Sequence, residues 1–450
     1  MIAFVLNGEL VQADDPSMTL LDFLRLKQGL TGTKEGCNEG DCGACTVELA
    51  AFEEGALKHR AVNACILLLG QIQGKSVTTV EALDGAHPVQ QALVAHHGSQ
   101  CGFCTPGIVM ALKTAQREGR QDYEDVLAGN LCRCTGYAPI LRAAKAAAEV
   151  PVPKGPDEAA LMAGLSEGGL TDVDEFATWY AQNPDATLVG GATEVGLMLT
   201  KELKQPPKLA FLNRIPALQN IGHEIGGMRI GSGVLLARLR GLLAGKHPQF
   251  AEMLRRFGSV QVRNSATLGG NIANGSPIAD TPPPLIALGA SLTLRKGAAR
   301  REVLLEDFYL SYGVQDSQAG EFIENVFIPA QEDTLGVYKI SKRFDQDISA
   351  LCGAFNIGVS AGVVRRASIA FGGMAATPKR AKAVERALIG QPWNEKTIAK
   401  AQLAFAADYT PISDQRGSAQ YRLILAQNLL KRYYLEQTGA GRVRVVGGVA

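Results

Sequence analysis

Eight of the nine cysteines in this 450-residue chain fall into two groups of four. The first runs Cys37-x4-Cys42-x2-Cys45 and is completed by Cys65; the second pairs Cys101-x2-Cys104 with Cys132-x-Cys134. Four thiolates that share one inorganic centre must be carried to one place by the backbone, so these spacings restrict the fold more than any other feature. The x4-then-x2 spacing of the first group is the ligand pattern of a plant-type 2Fe–2S cluster. Thiolate is a soft ligand matched to iron and sulfide, whereas a structural zinc site favours two CxxC-like pairs. Gly32, Gly36, Gly40 and Gly43 lie in the same loop. There the backbone can approach a cluster and turn its N–H groups toward sulfur. Such dipoles favour the reduced, more negative cluster.

The second group is less specific. A single residue between Cys132 and Cys134 is compatible with a cluster, a zinc site or a redox pair on spacing alone. Its surroundings read as helices. Pro106 opens a run with Ile108, Leu112 and Ala115 on one face. Asp122 and Asp125 resemble a capping box ahead of Val126 and Leu127, closed by Gly129-Asn130. Pro139 opens the alanine-rich stretch Ile140 to Val150.

Composition sets the class. Hydrophobic content of 46% with 20% charged residues describes an ordinary globular chain of about three domains. A formal net charge of +1 gives no footprint for nucleic acid or a membrane surface, and no apolar run reaches the ~18 residues of a spanning helix. The opening Met1 to Leu10 lacks a basic leader region and breaks at the hairpin pair Asn7-Gly8, so no secretory signal is expected. Thiolates reserved for iron also favour a reducing compartment, which predicts the cytoplasm.

Along the chain, residues 2–13 read as two strands around Asn7-Gly8, Thr19–Arg25 as a helix begun by Thr19 and Asp22, and Thr46–Phe52 as a strand. Cys65 leads a buried apolar run. The expected fold class is multidomain α+β. A ferredoxin-like, strand-rich module covers 1–80, and a helical module covers 81–150. A proline-stiffened linker follows at 151–168. The remainder, 169–450, alternates strand-like runs with helical ones, an α+β signature. Two glycine-rich loops stand out in the second half: Leu188-Val-Gly190-Gly191-Ala-Thr-Glu194-Val195 after a strand, and Ser265 to Asp280. Such loops either cradle a pyrophosphate with backbone N–H groups or are plain turns. Gly70-x3-Gly74-Lys75-Ser76 and Gly241-x3-Gly245-Lys246 mimic a Walker loop but are one residue short, and read as surface turns. Cys352, isolated in an apolar run, reads as a buried small hydrophobe, and His96-His97 as a helix end.

Three stretches carry a specific resemblance: Thr33 to Val47, Gln100 to Gly107, and Gly129-Asn-Leu-Cys-Arg-Cys-Thr-Gly-Tyr137. In these the chain resembles the iron–sulfur part of the molybdenum hydroxylases, the family of xanthine dehydrogenase and aldehyde oxidase. The likeness continues to about residue 440, and it implies a β-grasp 2Fe–2S domain at 1–80, a helical-bundle 2Fe–2S domain at 81–150, and a two-part FAD domain with its main part at 169–340 and a C-terminal α/β subdomain at 341–450. It implies that Cys37, Cys42, Cys45 and Cys65 hold one 2Fe–2S cluster and Cys101, Cys104, Cys132 and Cys134 a second. It implies FAD contacts at Leu188, Val189, Gly190, Gly191, Ala192, Thr193, Glu194, Val195, Thr267, Gly270, Asn271, Asp280, Ile323 and Lys339. Phe257 would lie beside the isoalloxazine, Asp345 would bear on NAD⁺ use, and Gln100 would reach the pterin of a molybdopterin cofactor. Read without the family, Phe257 is a core aromatic, Lys339 and Asp345 are solvated charges, and Gln100 is a polar residue before a cysteine. One departure stands out. Where animal xanthine dehydrogenases carry a cation–aromatic cluster governing conversion to an oxidase, this chain has Arg256 and Phe344, so that switch is expected to be built differently.

The resemblance further implies the electron-transfer subunit of a bacterial, two-subunit xanthine dehydrogenase. A molybdopterin-binding partner would oxidise hypoxanthine and xanthine to urate, with electrons passing through both clusters to FAD and then NAD⁺. The assembly implied is a dimer of heterodimers. The same unit serving an aldehyde or aromatic-acyl hydroxylase is the alternative. A non-catalytic iron–sulfur sensor is a remote one, since no DNA-binding helix pair or basic patch is present.

Overall fold

The computed structural model describes residues 1–166 and 168–439. Position 167 of the expected linker and positions 440–450 of the expected C-terminal subdomain lie outside the described residues. The chain forms two compact units. One comprises Met1–Gln219, Leu235–Ala237 and Gly258–Thr267; the other comprises Asn220–Val234, Arg238–Phe257 and the chain from Leu268.

The first unit begins with a five-stranded mixed sheet. Strands Ile2–Leu6 and Glu9–Ala13 form a hairpin whose turn residues Asn7 and Gly8 both take positive φ, 53° and 89°. This is the conformation that makes Asn-Gly a hairpin turn. Ile2–Leu6 also pairs in parallel with Ser76–Thr78, which continues through Thr46–Glu53 to Ala56–Asn63 in antiparallel register. Thr19 caps the turn Leu20–Asp22 by accepting from the Asp22 N–H, and the chain runs on as a π-helical turn, Phe23–Lys27. Phe4, Leu20, Leu24, Val47 and Leu69 bury the inner face.

Four helices follow: Pro88–Ala95, Thr105–Arg117, Tyr123–Leu127 and Ala138–Ala148. Pro88–Ala95 ends at His96-His97, with His97 in the left-handed region at φ 53°. Thr105–Arg117 is buried on every side from Gly107 to Ala115, not on one face as its periodicity predicts. The reason lies across the sheet: Glu48, 1% exposed, receives Lys113 Nζ and Thr114 Oγ1, which solvates two polar positions inside the core. The capping box expected at Asp122 does not form. Asp122 instead takes a bidentate pair from Arg120 at 2.9 and 2.8 Å and leaves the helix without a side-chain cap.

The stretch expected as a linker carries the helical turn Glu158–Met162. Glu158 is buried, accepts from Ser76 Oγ at 2.8 Å and meets His59 Nε2 at 2.6 Å. Burial alone would raise its carboxyl; these bonds hold it below the usual carboxylate range. The Gly70 turn is not at the surface. Gly70 is buried in a 3₁₀ turn against the Phe211 ring, and Arg214 Nε donates to its carbonyl at 2.8 Å. Strands Thr187–Val189 and Leu209–Phe211 pair in parallel and pack through Val189 and Ala192 onto Leu68. Residues 170–219 thereby join the unit that contains both cysteine groups.

The second unit contains a five-stranded antiparallel sheet in the order Ala299–Leu304, Ser291–Lys296, Phe322–Pro329, Gly227–Gly231, Ile221–Glu224. A four-stranded sheet follows, Leu335–Ile340, Leu351–Ser360, Val363–Gly372 and Lys379–Arg380. It begins ahead of the expected boundary at 341, because Leu335–Ile340 pairs along its whole length with Leu351–Asn356. All its pairings are antiparallel, so this part is α+β rather than the α/β expected of it. Helix Ala419–Gln437 packs on the sheet through Ala426, Leu430 and Tyr433, around Phe355, Phe371 and Phe405. Cys352 is buried on the other face of this sheet, its Sγ 3.9 Å from the Asp280 carbonyl oxygen, and burial pushes its thiol well up, as expected of a small hydrophobe. No helix among the described residues is long and apolar enough to cross a membrane.

The Glu48–Lys113 pair joins the strand that follows Cys45 to the helix that follows Cys104. Removing one partner strands a buried charge, at a cost of about 3 kcal/mol or more. Lys113→Met is expected to lower the unfolding midpoint in denaturant. The double variant Glu48→Gln with Lys113→Met should recover much of the loss.

Candidate redox centres

The first cysteine group lies at one end of the mixed sheet. Cys45 enters strand Thr46–Glu53, and Cys65 leaves its antiparallel partner Ala56–Asn63. Thr46 pairs with Asn63, so the two cysteines are brought side by side by strand register. Asn63 also donates from Nδ2 to the Gly40 carbonyl at 2.8 Å, which anchors the loop bearing Cys37 and Cys42. The thiols form a chain of contacts, Cys42 to Cys37, Cys37 to Cys65, and Cys65 to Cys45. Hydrogen bonds from Cys42 and Cys65 hold the Cys37 thiol far below its ordinary range, and the donors Cys42 and Cys65 are pushed up. Backbone N–H groups of Asp41 and Cys42 also point at Cys37 Sγ, at 3.4 and 3.3 Å. The arrangement is two thiol pairs joined in the middle, which fits a binuclear centre with two thiolates on each iron.

In the second group, Cys104 stands at the head of helix Thr105–Arg117 and Cys132 in the loop before helix Ala138–Ala148. Cys104 is pushed up to about 12 by burial and by its hydrogen bond with Cys132, with Cys101 close enough to add to the effect. Burial would raise Cys132 too, but its contact with Thr135 Oγ1 at 3.2 Å brings it below the ordinary range. Tyr137, at φ 66°, folds its ring back so that its hydroxyl accepts from Cys132 N and donates to Asn130 O, both at 2.8 Å. Cys101 and Cys134 are exposed, as is Gln100.

The two cysteine loops touch. Leu131 N–H donates to the carbonyl of Cys42 at 2.9 Å. Asn130 Nδ2 donates to Gly43 O at 3.0 Å, and Gln261 Nε2 donates to Asn130 Oδ1 at 2.8 Å, all in buried surroundings. Gly43 takes φ +70°, and a Cβ there would lie 1.9 Å from the Gly129 carbonyl oxygen, so no other residue permits this approach. The local sequence marks Asn130 only as a turn residue, and nothing in the pattern marks Gln261.

The first glycine-rich loop meets the start of the second, Ser265 to Thr267, within the first unit. Strand Thr187–Val189 runs into Gly190-Gly191, Ala192 turns at φ 57°, and helix Val195–Thr200 begins after Glu194. A Cβ on Gly191 would fall 1.9 Å from Ser265 O, and one on Gly190 would fall 2.7 Å from Thr267 Oγ1. Val189, Gly191, Ala192 and Thr267 are buried; Leu188, Gly190, Thr193 and Val195 are half-buried and Glu194 is exposed. A narrow cradle of glycine backbone with few side chains suits a pyrophosphate.

In the second unit, Asp280 and Lys339 are buried against each other at 2.7 Å. Ser349 closes the ring by accepting from Lys339 at 2.8 Å and donating to Asp280 at 2.6 Å. By resemblance they are two polar contacts for a flavin; together with Ser349 they form a hydrogen-bonded set with no net charge. Nothing in the local pattern marks Ser349, whose partners lie elsewhere in the chain. Asn271 accepts from Thr281 Oγ1 at 2.6 Å, Gly270 is exposed and Ile323 is buried in its strand. Phe257 and Asp345 are half-buried. Arg256 clasps the Asp345 loop through Lys339 O and Phe344 O at 2.8 and 3.2 Å, and lies 4.4 Å from the Phe344 ring centroid. A cation–aromatic pair is therefore present at these two positions.

Comparison with known proteins agrees with this layout. Residues 4–69 match the 2Fe-2S iron-sulfur cluster binding domain, and residues 79–145 the [2Fe-2S] binding domain. Residues 170–331 match the FAD binding domain in molybdopterin dehydrogenase, and 336–437 the CO dehydrogenase flavoprotein C-terminal domain. Xanthine dehydrogenase 1 of Arabidopsis thaliana is 30% identical over 93% of this chain and 38% of its own length. Aldehyde oxidase 2 of Cavia porcellus is 31% identical over 97% of this chain and 40% of its own. The chain thus spans about two fifths of the length of the curated relatives it matches. Among solved structures, quinoline 2-oxidoreductase from Pseudomonas putida 86 aligns at a TM-score of 0.56 and 26% identity, over 60% of this chain and 96% of that one. The Cu,Mo-CO dehydrogenase aligns at 0.55 and 27%, over 58% and 93%. The chain, homologous to xanthine dehydrogenase and CO dehydrogenase, belongs to the molybdenum hydroxylase family as an iron–sulfur and FAD-binding member.

Proposed function

We propose that this chain is the electron-transfer subunit of a xanthine dehydrogenase. A molybdopterin-bearing partner would oxidise hypoxanthine and xanthine to urate, in a dimer of heterodimers in the cytoplasm, and NAD⁺ would be the final acceptor. The observation that carries the reading is the direct contact between the two cysteine loops, Leu131 N–H to Cys42 O, in the unit that also holds the glycine cradle. Clusters bound there would carry single electrons, and FAD would pair them for release as hydride.

The chain's own residues set the terms of that transfer. Cys37, Cys42, Cys45 and Cys65 would hold the plant-type cluster, and Cys101, Cys104, Cys132 and Cys134 the other. The exposure of Cys101, Cys134 and Gln100 suits the second group to face a partner's pterin. Residues 188–195 and Thr267 would hold the pyrophosphate, Phe257 would flank the isoalloxazine, and Asp345 would face the nicotinamide side. The neutral Asp280–Lys339–Ser349 ring would offer a flavin a fixed polar wall without a net charge. Cluster domains at 1–80 and 81–150 and a flavin part from 169 onward accommodate these roles. Xanthine as substrate is supported by matches at about 30% identity to xanthine dehydrogenases of a plant, a mammal and a slime mould. The comparable match to an aldehyde oxidase keeps an aldehyde substrate as the rival.

Two measurements test the assignment. Purified with its partner, the protein should carry about four irons and one FAD per chain. Anaerobic NADH should then bleach both flavin and cluster absorption. Flavin that stays oxidised in NADH would replace NAD⁺ by another acceptor, and turnover of aldehydes but not purines would move the chain to the rival. Separately, Gly191→Val drives a side chain into the Ser265 carbonyl. The flavin-to-iron ratio of that variant should fall at least tenfold while iron content stays unchanged.

A further inference from the structure

Cys37 is approached by a cation from the flavin side of its own unit. Lys201 Nζ donates to the Cys37 carbonyl oxygen at 2.6 Å and meets Glu39 at 3.4 Å. Lys201 follows directly on helix Val195–Thr200, into which the Gly190-Gly191 loop leads. The same helix is seated on the chain just beyond Cys65. A Cβ on Gly196 would stand 3.0 Å from both the Cβ and the carbonyl oxygen of Ile66. Leu197 packs on the core that contains Cys45 and Cys65. Gln71 Nε2, from the turn after Cys65, donates to Gly190 O at 3.1 Å. The flavin loop and its helix thus grip the first cysteine group at both ends, at Cys65 by packing and at Cys37 by a charge.

We propose that Lys201 is a positioning residue that fixes the flavin-loop helix on the plant-type cluster loop and raises the reduction potential of the cluster held there. The inference rests on the reading of Cys37, Cys42, Cys45 and Cys65 as 2Fe–2S ligands. Reduction adds one electron to that cluster and makes or breaks no bond. A cation held against a ligand's peptide lowers the energy of the more negative, reduced state. The N–H groups of Asp41 and Cys42 on Cys37 Sγ act in the same direction. Glu39 opposes the effect, and the two side chains are 44% and 45% exposed, so salt screens part of it. The hydrogen bond itself is aimed at Cys37 and not at Glu39, which is why a net rise remains. A cluster raised in potential next to the flavin loop accepts electrons readily and holds them until a pair can be assembled.

The test is a dithionite titration of the intact holoprotein with mediators, in which the EPR signal of each cluster is followed separately. In Lys201→Met the reduced-to-oxidised ratio of the plant-type cluster at a fixed potential should fall roughly three- to tenfold, tenfold being about 59 mV for one electron. The second cluster should not shift, Lys201→Arg should restore the value, and added salt should narrow the difference from the unmutated protein. An unchanged ratio in Lys201→Met overturns the inference, as does a shift in Lys201→Arg as large as in Lys201→Met. Absence of the plant-type signal from the unmutated protein would overturn the cluster reading itself, and this inference with it.

Discussion

The arrangement depends on one backbone contact, between the loop that carries Cys42 and the loop that carries Cys132. Electron transfer between two centres weakens steeply with separation, so the distance between these loops sets what the unit can do. Gly43 and Gly129 meet without a Cβ between them, and Leu131 N–H closes on Cys42 O at 2.9 Å. The side chains of Asn130, Thr46 and Gln261 then pair most of the surrounding polar groups in a buried network, Gln261 Oε1 alone of that set having no hydrogen-bond partner. Each such bond contributes only about 1 kcal/mol net, but leaving a partner unpaired there costs about 1–3 kcal/mol. The network therefore acts less as a source of stability than as a penalty on any other spacing.

Buried charge serves the same purpose elsewhere. Lys113 on Glu48, His59 on Glu158 and Lys339 on Asp280 each join segments distant in sequence. A buried pair is weak evidence for stability, since desolvation nearly cancels the attraction, yet losing one member is costly. These pairs behave as registers between segments. Lys201 is of another kind: half-exposed and directed at the peptide of Cys37, it can bias the charge that a bound group carries more than it can hold the fold.

Much of the fold was legible because the signals were local. The Asn7-Gly8 hairpin, the Thr19 cap, the buried Cys352 and the strand–glycine–helix order at 187–200 each depend on a few neighbouring residues, and each appears as read. The misreadings were places where a competing group intervened, near or far in the chain. Asp122 would cap its helix were Arg120 not nearer, and the Gly70 turn would be exposed were Phe211 not packed upon it. Residues 335–340 could be assigned only once Leu335–Ile340 had found its partner strand. The contacts of Asn130, Gln261, Ser349 and Lys201 are invisible in the local sequence, since each acts on a group far away in the chain.

The sequence by itself determined which chemistries were open. The spacing of the first cysteine group pointed to a plant-type metal centre, and the glycine-rich loops allowed a phosphate cradle or a plain turn, because ligand type and backbone freedom are properties of single residues. Only the tertiary structure decided which of these parts touch. Strand register brings Cys45 beside Cys65, two glycines let the cysteine loops meet, and a parallel strand pair seats the flavin loop on the first cysteine group. Proximity between segments a hundred residues apart depends on how their buried faces and charges match, and no local pattern encodes that.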